Sequence, residues 1–218
     1  LVTSLEEGRA LADGEAGQYM LSLLPEKGIE GLALWEQGFR EMTTASKEIR
    51  LPADVSGMKI RVMDSPTYIA MFNHLGALPT VTSMGELFTA LQQGAVDGQE
   101  NPINTIASRK FNEVQQYLIM TPHSYGPLIF GANKAFFDKL PEDVQAAIKE
   151  AAIESREVER QAAQDIDQQY VDGDLKATMT IIELTDDERN QWQEAVAAVY
   201  PEFKDIIGEE IYKLFGID

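Results

Sequence analysis

The sequence contains no cysteine and only two histidines, so several common kinds of chemistry have no residues to carry them. Without cysteine there is no disulfide, no thiolate zinc site and no cysteine nucleophile. His74 lies near the end of a predicted helix and His123 lies in a turn between prolines, and neither has a catalytic partner at a recognisable spacing. Glycine-rich phosphate loops, nucleophile elbows and zinc-binding His-Glu-His motifs are also missing. The sequence therefore predicts no catalytic residue, no metal site and no cofactor.

Basic residues are scarce, with 18 Lys and Arg against 36 Asp and Glu and a net charge of -18. This excess of negative charge disfavours nucleic acid and anionic membrane surfaces as partners. No uninterrupted apolar run approaches the length of a membrane span, so direct membrane insertion is not predicted. An acidic protein that binds an anion must concentrate its few arginines in one place.

Two compact strand–helix units are the clearest pattern in the chain. Lys59 to Met63 alternates like a strand with one apolar face, and Ser65 with Pro66 then begins a helix that ends at Gly76. A second strand, Leu78 to Val81, precedes a helix that begins at Ser83. Such units predict an α/β fold with parallel strands, in which ligands bind outside the carboxyl ends of the strands.

Other segments complete the expected architecture of one large domain or two lobes. The longest predicted helix begins at Pro141, runs to about Val171 and breaks at Asp172-Gly173, and its charged surface suits a helix lying across two lobes. Residues 122–127 are rich in turn formers and are predicted to be a hinge-like crossing. Further strands are predicted at 29–35, 117–120, 128–132 and 178–184, and further helices after Ser4 and at 15–24. Thr185 and Glu188 have the spacing of a capping box and predict the start of a final helix.

Three polar side chains stand near predicted strand ends: Arg61, Arg40 and Asn101. Two guanidinium groups and an amide suit a small organic anion, because Arg binds a carboxylate bidentately and Asn adds a donor and an acceptor. The alternative is that Arg61 is an ordinary strand arginine paired with a protein carboxylate. The spacing alone leaves both interpretations open.

Several segments resemble the TRAP-type solute-binding proteins, the extracytoplasmic receptors of tripartite ATP-independent periplasmic transporters that include C4-dicarboxylate and sialic-acid binders. They span nearly the whole chain in order: Gly38 to Arg40, Gly57 to Val62, Ala90 to Gly94, Val96 to Pro102, Lys110 to Gln115, Thr121 to His123 and Phe137 to Pro141. The resemblance implies a two-lobed α/β periplasmic binding protein, with a long lobe-spanning helix, whose lobes close on an organic acid. It implies integral-membrane permease subunits as partners.

The resemblance also assigns residues to the ligand site. Arg61 corresponds to the principal carboxylate-binding arginine, Arg40 to a second pocket arginine and Asn101 to a pocket asparagine. Asp64, Met84 and Phe39 are the other residues expected to line the site. Some members carry Asn where this chain has Asp64, and an acid there favours ligand hydroxyls over a second carboxylate. A sugar acid is therefore slightly favoured over a C4-dicarboxylate.

The start of the chain departs from the family, whose members begin with strand–helix elements that are missing here. We therefore expect a lobe truncated at its N-terminus, made of residues 1–37 and 126–166, and a ligand-binding lobe made of residues 38–125 and 167–218. On this expectation residues 1–218 alone bind ligand poorly. Two other functions remain open: an effector-binding or sensory module of the same bilobal fold, and an enzyme acting on organic acids.

Overall fold

The structure, a computed structural model, describes residues 2–217. Six strands are formed: β1 (Ile29–Thr44), β2 (Lys59–Val62), β3 (Leu78–Val81), β4 (Gly98–Pro102), β5 (Tyr117–Asn133) and β6 (Thr180–Glu183). The helices are α1 (Leu5–Asp13), α2 (Glu15–Ser22), α3 (Pro66–His74), α4 (Met84–Gln92), α5 (Ile103–Ser108), α6 (Lys134–Phe137), α7 (Glu142–Tyr170), α8 (Lys176–Thr178), α9 (Asp186–Ala197), α10 (Tyr200–Ile207) and α11 (Glu209–Leu214). None of the described helices combines the length and apolar composition needed to cross a bilayer.

The described residues divide into two compact units. Unit 1 contains residues 39–124 and 166–206, and unit 2 contains residues 2–38, 125–165 and 207–217. Residues 207–217 were expected in the ligand-binding lobe with residues 38–125, but they belong to unit 2. The physical reason is that α11 packs against α2, which belongs to unit 2.

All six strands contribute to unit 1, in the sheet order β3-β2-β4-β1-β5-β6. β2 is parallel to both β3 and β4, β5 is parallel to β6, and β1 is antiparallel to β4. The predicted α/β class with parallel strands is therefore confirmed, with the antiparallel pairing of β1 and β4 added to it.

The core of unit 1 lies on both faces of this sheet. Ile60 and Val62 belong to a cluster that includes Phe72 of α3 and Trp192 of α9. A second cluster contains Leu87 and Leu91 of α4, together with Ile106, Phe111 and Leu118. Because alternate residues of a strand point to opposite faces, the side chain of Arg61 points away from the cluster that takes Ile60 and Val62.

Unit 2 has a smaller apolar cluster, Leu32, Ala33, Phe137 and Ala152, supplemented by ion pairs. The Glu36 carboxylate accepts hydrogen bonds from Nε and Nη2 of Arg9 at 2.8 and 2.6 Å. Nη1 and Nη2 of Arg160 each donate to the Asp13 carboxylate at 2.8 Å. These bonds tie α1 to β1 and to α7 within the unit.

The two longest strands show where the local pattern was insufficient. β1 continues past the predicted strand 29–35 to Thr44. β5 runs unbroken through residues 122–127, so these residues form no turn, although the chain passes from unit 1 to unit 2 between residues 124 and 125, inside the predicted crossing. Proline fixes φ near a value that serves extended backbone as well as turns, so Pro122 and Pro127 do not distinguish the two. The long helix is confirmed as α7, and its break coincides with Gly173, whose φ of -98° and ψ of -109° are not helical.

The predicted capping box at the start of α9 is present, and we expect it to contribute measurably to stability. Thr185 Oγ1 accepts from the Glu188 N–H, and Glu188 Oε2 accepts from the Thr185 N–H at 2.7 Å. Thr185→Ala should lower the free energy of unfolding by about 1 kcal/mol, measured by urea denaturation. Ser83→Ala is the matched control, because Ser83 precedes α4 without a side-chain bond to its backbone. An equal loss in both variants would contradict the capping assignment.

Candidate functional site

Arg61 is the buried cation of unit 1 that has no carboxylate partner. It lies in β2, near the carboxyl end as predicted, and is 3% exposed. Its Nε and Nη2 both donate to the carbonyl oxygen of Thr82, at 2.9 and 2.7 Å. Its Nη1 is buried and has no hydrogen-bond partner. The guanidinium is thus oriented by one backbone carbonyl and keeps a donor group unused.

The other buried arginines among the described residues are neutralised. Arg40 forms an ion pair with Glu100, and Arg160 forms one with Asp13. Burial lowers the pKa of Arg61, the nearby Glu100 carboxylate acts to raise it, and the Arg40 guanidinium acts to lower it. A buried charge without a counterion is costly. An anionic ligand would remove that cost, which is the electrostatic signature of a binding site.

Arg40 and Glu100 form a tight pair a short distance away in unit 1. Arg40 Nε donates to Glu100 Oε2 at 2.5 Å, and Nη2 donates to Oε1 at 3.0 Å and to the Glu100 carbonyl at 2.8 Å. The same Nη2 donates to Asn101 Oδ1 at 3.1 Å. The Arg40 guanidinium also lies over the Tyr68 ring, 5.3 Å from its centroid. Contacts with Glu100, Asn101 and Tyr68 therefore fix the position of the Arg40 guanidinium within the protein.

His123 lies on the other side of Glu100. Its Nε2 is 3.3 Å from Glu100 Oε2, and its Nδ1 is 2.8 Å from Thr121 Oγ1. Burial acts to raise the pKa of Glu100, but the hydrogen bonds to His123 and Arg40 outweigh it, and the pKa is lowered. Glu100 therefore carries a negative charge at neutral pH. Its charge is shared between a guanidinium and an imidazole.

Glu100 and His123 were not among the candidates chosen from the sequence. The visible signal was the position of Glu100 between Gln99 and Asn101 in a segment already singled out. A carboxylate is an unexpected component of an anion site unless its partner is known. That partner, Arg40, is 60 residues away in the sequence.

The structure brings only some of the predicted residues into contact. Arg40 and Asn101 are hydrogen bonded, whereas the described contacts of Arg61 are to Thr82. The register pairs Arg61 with Gln99 and Gln99 with Thr43, so the side chains of Arg61 and Arg40 leave the sheet from opposite faces. The expectation that Arg40 stands at a strand end is wrong, because β1 continues four residues beyond it.

The remaining predicted site residues differ in their exposure. Asp64 is exposed in the link between β2 and α3. Met84, the first residue of α4, is half-buried against the Leu87 and Leu91 cluster, and Phe39 is half-buried in β1. Within residues 2–217, no three His, Asp or Glu side chains are arranged so that they could hold a metal ion.

Glu41, on the same sheet face as Asn101, is a buried acid whose ionisation we expect to make stability depend on pH. It is 4% exposed, its Oε2 has no hydrogen-bond partner, and burial raises its pKa well above the usual value. The Glu183 and Asp167 carboxylates reinforce that shift. The unfolded chain therefore ionises first as pH rises, and the folded protein loses stability between the unfolded-state and folded-state pKa values of this carboxyl.

Glu41→Gln should remove this loss. In urea denaturation, the free energy of unfolding of the variant relative to the native chain should increase from about pH 5 to about pH 8. Glu48 is exposed in the connection between β1 and β2. Glu48→Gln is the control, and no such trend with pH is expected for it. A pH-independent difference for Glu41→Gln would contradict the buried, protonated state.

Comparison with known proteins places these observations in a family. The DctP family model, described as bacterial extracellular solute-binding protein, family 7, matches residues 1–205. A solute-binding protein of Verminephrobacter eiseniae is 41% identical over 92% of this chain and 59% of its own length. The C4-dicarboxylate-binding periplasmic protein DctP of Rhodobacter capsulatus is 37% identical over 92% of this chain and 60% of its own length. The chain thus spans about three fifths of the length of these relatives.

Solved structures of TRAP periplasmic solute-binding proteins have the same fold. One from Ochrobactrum anthropi superposes with a TM-score of 0.91 at 39% identity, covering 99% of this chain and 68% of that one. One from Sulfurospirillum deleyianum with bound succinate has a TM-score of 0.84 at 33% identity, covering 99% and 71%. One from a Polaromonas species bound to D-erythronate has a TM-score of 0.89 at 35% identity, covering 99% and 71%. The chain belongs to the DctP family of bacterial extracellular solute-binding proteins.

Proposed function

We propose that this chain acts as the solute-binding receptor of a TRAP transporter and that the Arg61 guanidinium binds the carboxylate of a small organic acid. The observation that carries the proposal is the burial of Arg61 without a carboxylate partner and with Nη1 unused. A ligand carboxylate would receive a charge-assisted hydrogen bond there and supply the missing counterion.

The relatives support the same class of ligand. Their names and bound molecules include a C4-dicarboxylate, succinate and D-erythronate, all of which carry carboxylates. We propose that Arg40, Asn101, Asp64, Met84 and Phe39 line the site around Arg61. The receptor would work in the periplasm, without catalysing a reaction, and deliver its ligand to integral-membrane permease subunits.

A thermal-shift screen tests this proposal directly. The protein expressed from its complete gene is mixed with dicarboxylates, uronates and aldonates, one at a time. A ligand that binds the folded state raises Tm in proportion to the logarithm of its concentration. At least one carboxylate should do so, and no carboxylate should be chemically converted. A screen in which no carboxylate raises Tm, or in which one is turned over, would overturn the proposal.

A further inference from the structure

We infer that Gln99, Thr43 and Gln115, which are not among the residues proposed to line the site, orient the Asn101 amide toward the ligand. This inference rests on the proposed function and deepens it, because it adds positioning residues to the same site. The three side chains and Asn101 form one continuous chain of buried hydrogen bonds in unit 1.

One end of this chain of hydrogen bonds is Arg40, whose guanidinium donates hydrogen bonds and cannot accept them. Arg40 Nη2 donates to Asn101 Oδ1 at 3.1 Å. The Asn101 Nδ2 group therefore faces the next residue, and it donates to Gln99 Oε1 at 2.5 Å. Gln99 Nε2 in turn donates to Thr43 Oγ1 at 3.0 Å. Each amide is thus oriented by the group that precedes it in the chain.

The other end is the backbone carbonyl of Val114, which accepts hydrogen bonds and cannot donate them. Gln115 Nε2 donates to this carbonyl at 3.1 Å, so Gln115 Oε1 is left to face Thr43. Thr43 Oγ1 donates to that oxygen at 3.1 Å. Thr43 therefore lies between one amide that donates to it and another that accepts from it, and its hydroxyl serves both because it is a donor and an acceptor.

The two ends of the chain prevent the Asn101 amide from turning over. The oxygen and nitrogen of an amide have nearly the same shape, so hydrogen bonds decide which way the group faces. A flipped Asn101 would place its N–H groups against the Arg40 guanidinium and its oxygen against Gln99 Oε1. The four side chains of the chain are at most 3% exposed, so water does not supply the lost partners, and buried polar groups without partners are costly.

This orientation presents a hydrogen-bond donor on the face of the sheet that carries Arg61. Arg61 pairs with Gln99 in the register, and Asn101 lies two residues farther toward the carboxyl ends of β2 and β4, so the three side chains leave the same face. Asn101 Nδ2 uses one N–H for Gln99 and keeps a second. That N–H suits a carboxylate oxygen of the ligand, whereas the flipped amide would present an oxygen that repels it. Thr43 and Gln115 would thus influence ligand binding without touching the ligand.

The test compares two threonines that are adjacent in β1 and fully buried. Thr43→Val keeps the shape of the side chain and removes the hydroxyl from the chain of hydrogen bonds. Thr44→Val is the matched control, because Thr44 Oγ1 donates to the Lys47 carbonyl and Thr44 faces the other side of the sheet.

Isothermal titration is performed on the protein expressed from its complete gene, with succinate and with D-erythronate, the acids bound in two related structures. Thr43→Val should raise Kd roughly three- to tenfold, because the Asn101 donor is no longer held toward the ligand. Thr44→Val should leave Kd unchanged. Thr43→Ser restores the hydroxyl and should restore the native Kd.

A double-mutant cycle with Asn101→Ala separates positioning from a general structural effect. Binding stays measurable in Asn101→Ala because Arg61 remains. If Thr43 acts through Asn101, Thr43→Val should change Kd by less than about twofold in the Asn101→Ala background. A change of full size in that background, or an equal change in Thr44→Val, would overturn the inference and leave the proposed function intact.

The orientation of Asn101 is also measurable without ligand. In ¹⁵N-labelled protein, the Nδ2 protons of Asn101 are identified by their loss in Asn101→Ala, and they should exchange with solvent at least about tenfold faster in Thr43→Val than in the native protein or in Thr44→Val. Gln115→Met removes the other end of the chain and should change the exchange in the same direction, which keeps the test decisive if Thr43→Val does not fold. Unchanged exchange would overturn the inference. Failure of both acids to bind the native protein would count against the proposed function, and the exchange rates would still decide whether the chain orients Asn101.

Discussion

Arg61→Ala should severely weaken the binding of the organic acid that raises Tm in the native protein. The variant loses the charge-assisted bonds to the ligand carboxylate and leaves that carboxylate without a cation, a loss of about 3–5 kcal/mol. This corresponds to a roughly 150- to 5,000-fold increase in Kd by isothermal titration. Arg50→Ala is the matched control, because Arg50 is an exposed arginine paired with Glu48. Retained affinity in Arg61→Ala would refute the role of Arg61.

The same arginine should be a burden on stability in the absence of ligand. Burial lowers the pKa of Arg61, which means that the charged form is disfavoured in the folded protein. Arg61→Met replaces the cation with an apolar side chain of similar length and should raise the free energy of unfolding by about 1–3 kcal/mol. A purely structural arginine would behave in the opposite way.

Arg160→Met provides that comparison within the same protein. Arg160 is as buried as Arg61, but both of its terminal nitrogens donate to Asp13. Its replacement should lower the free energy of unfolding by about 1–3 kcal/mol, because the Asp13 carboxylate loses two charge-assisted hydrogen bonds and keeps only Arg156 as a cationic partner among the described ion pairs. If urea denaturation shows that both variants destabilise the protein equally, Arg61 is a structural residue and the binding proposal loses its main support.

What could be predicted from the sequence depended on how far apart the determining residues lie. The strand at Lys59 and the helix that begins at Pro66 were found because alternation and a Ser-Pro start are signals within a few residues. The position of Arg61 near the end of its strand followed from the same signals. The capping box of α9 is equally local and was also confirmed.

Long-range pairing explains what was missed. β1 extends to Thr44 because its second half pairs with β4, more than 50 residues later in the sequence. No pattern within the residues of β1 itself indicates that pairing. Residues 122–127 look like a turn when only their prolines and glycine are considered, yet they are extended in β5. The Arg40–Glu100 pair depends on the same β1–β4 register, which places Glu100 opposite Met42, two residues from Arg40. The net charge of the site therefore could not be derived from the sequence, although Arg61 could.

Arg40→Met should be among the most destabilising substitutions in unit 1, in contrast to Arg61→Met. The substitution removes the guanidinium that pairs with the fully buried Glu100 carboxylate, and His123 is then the remaining side-chain partner of Glu100 in the described network. Breaking a buried ion pair by removing one partner costs about 3–5 kcal/mol. Glu100→Gln should cost a similar amount, because it leaves Arg40 buried without its counterion. The double variant should recover at least about 2 kcal/mol relative to the sum of the single losses.

The pH dependence of these variants follows from the lowered pKa of Glu100. In the native protein the ionised pair stabilises the fold above the unfolded-state pKa of the carboxyl, and this contribution is lost as pH falls through the folded-state pKa. Without Arg40, burial should raise the pKa of Glu100, so the carboxyl is protonated at mildly acidic pH and the unpaired charge disappears. The destabilisation by Arg40→Met should therefore be largest near neutral pH and smaller near about pH 4–5 in urea denaturation. Additive losses in the double variant, or a destabilisation that does not change with pH, would mean that Glu100 does not neutralise Arg40.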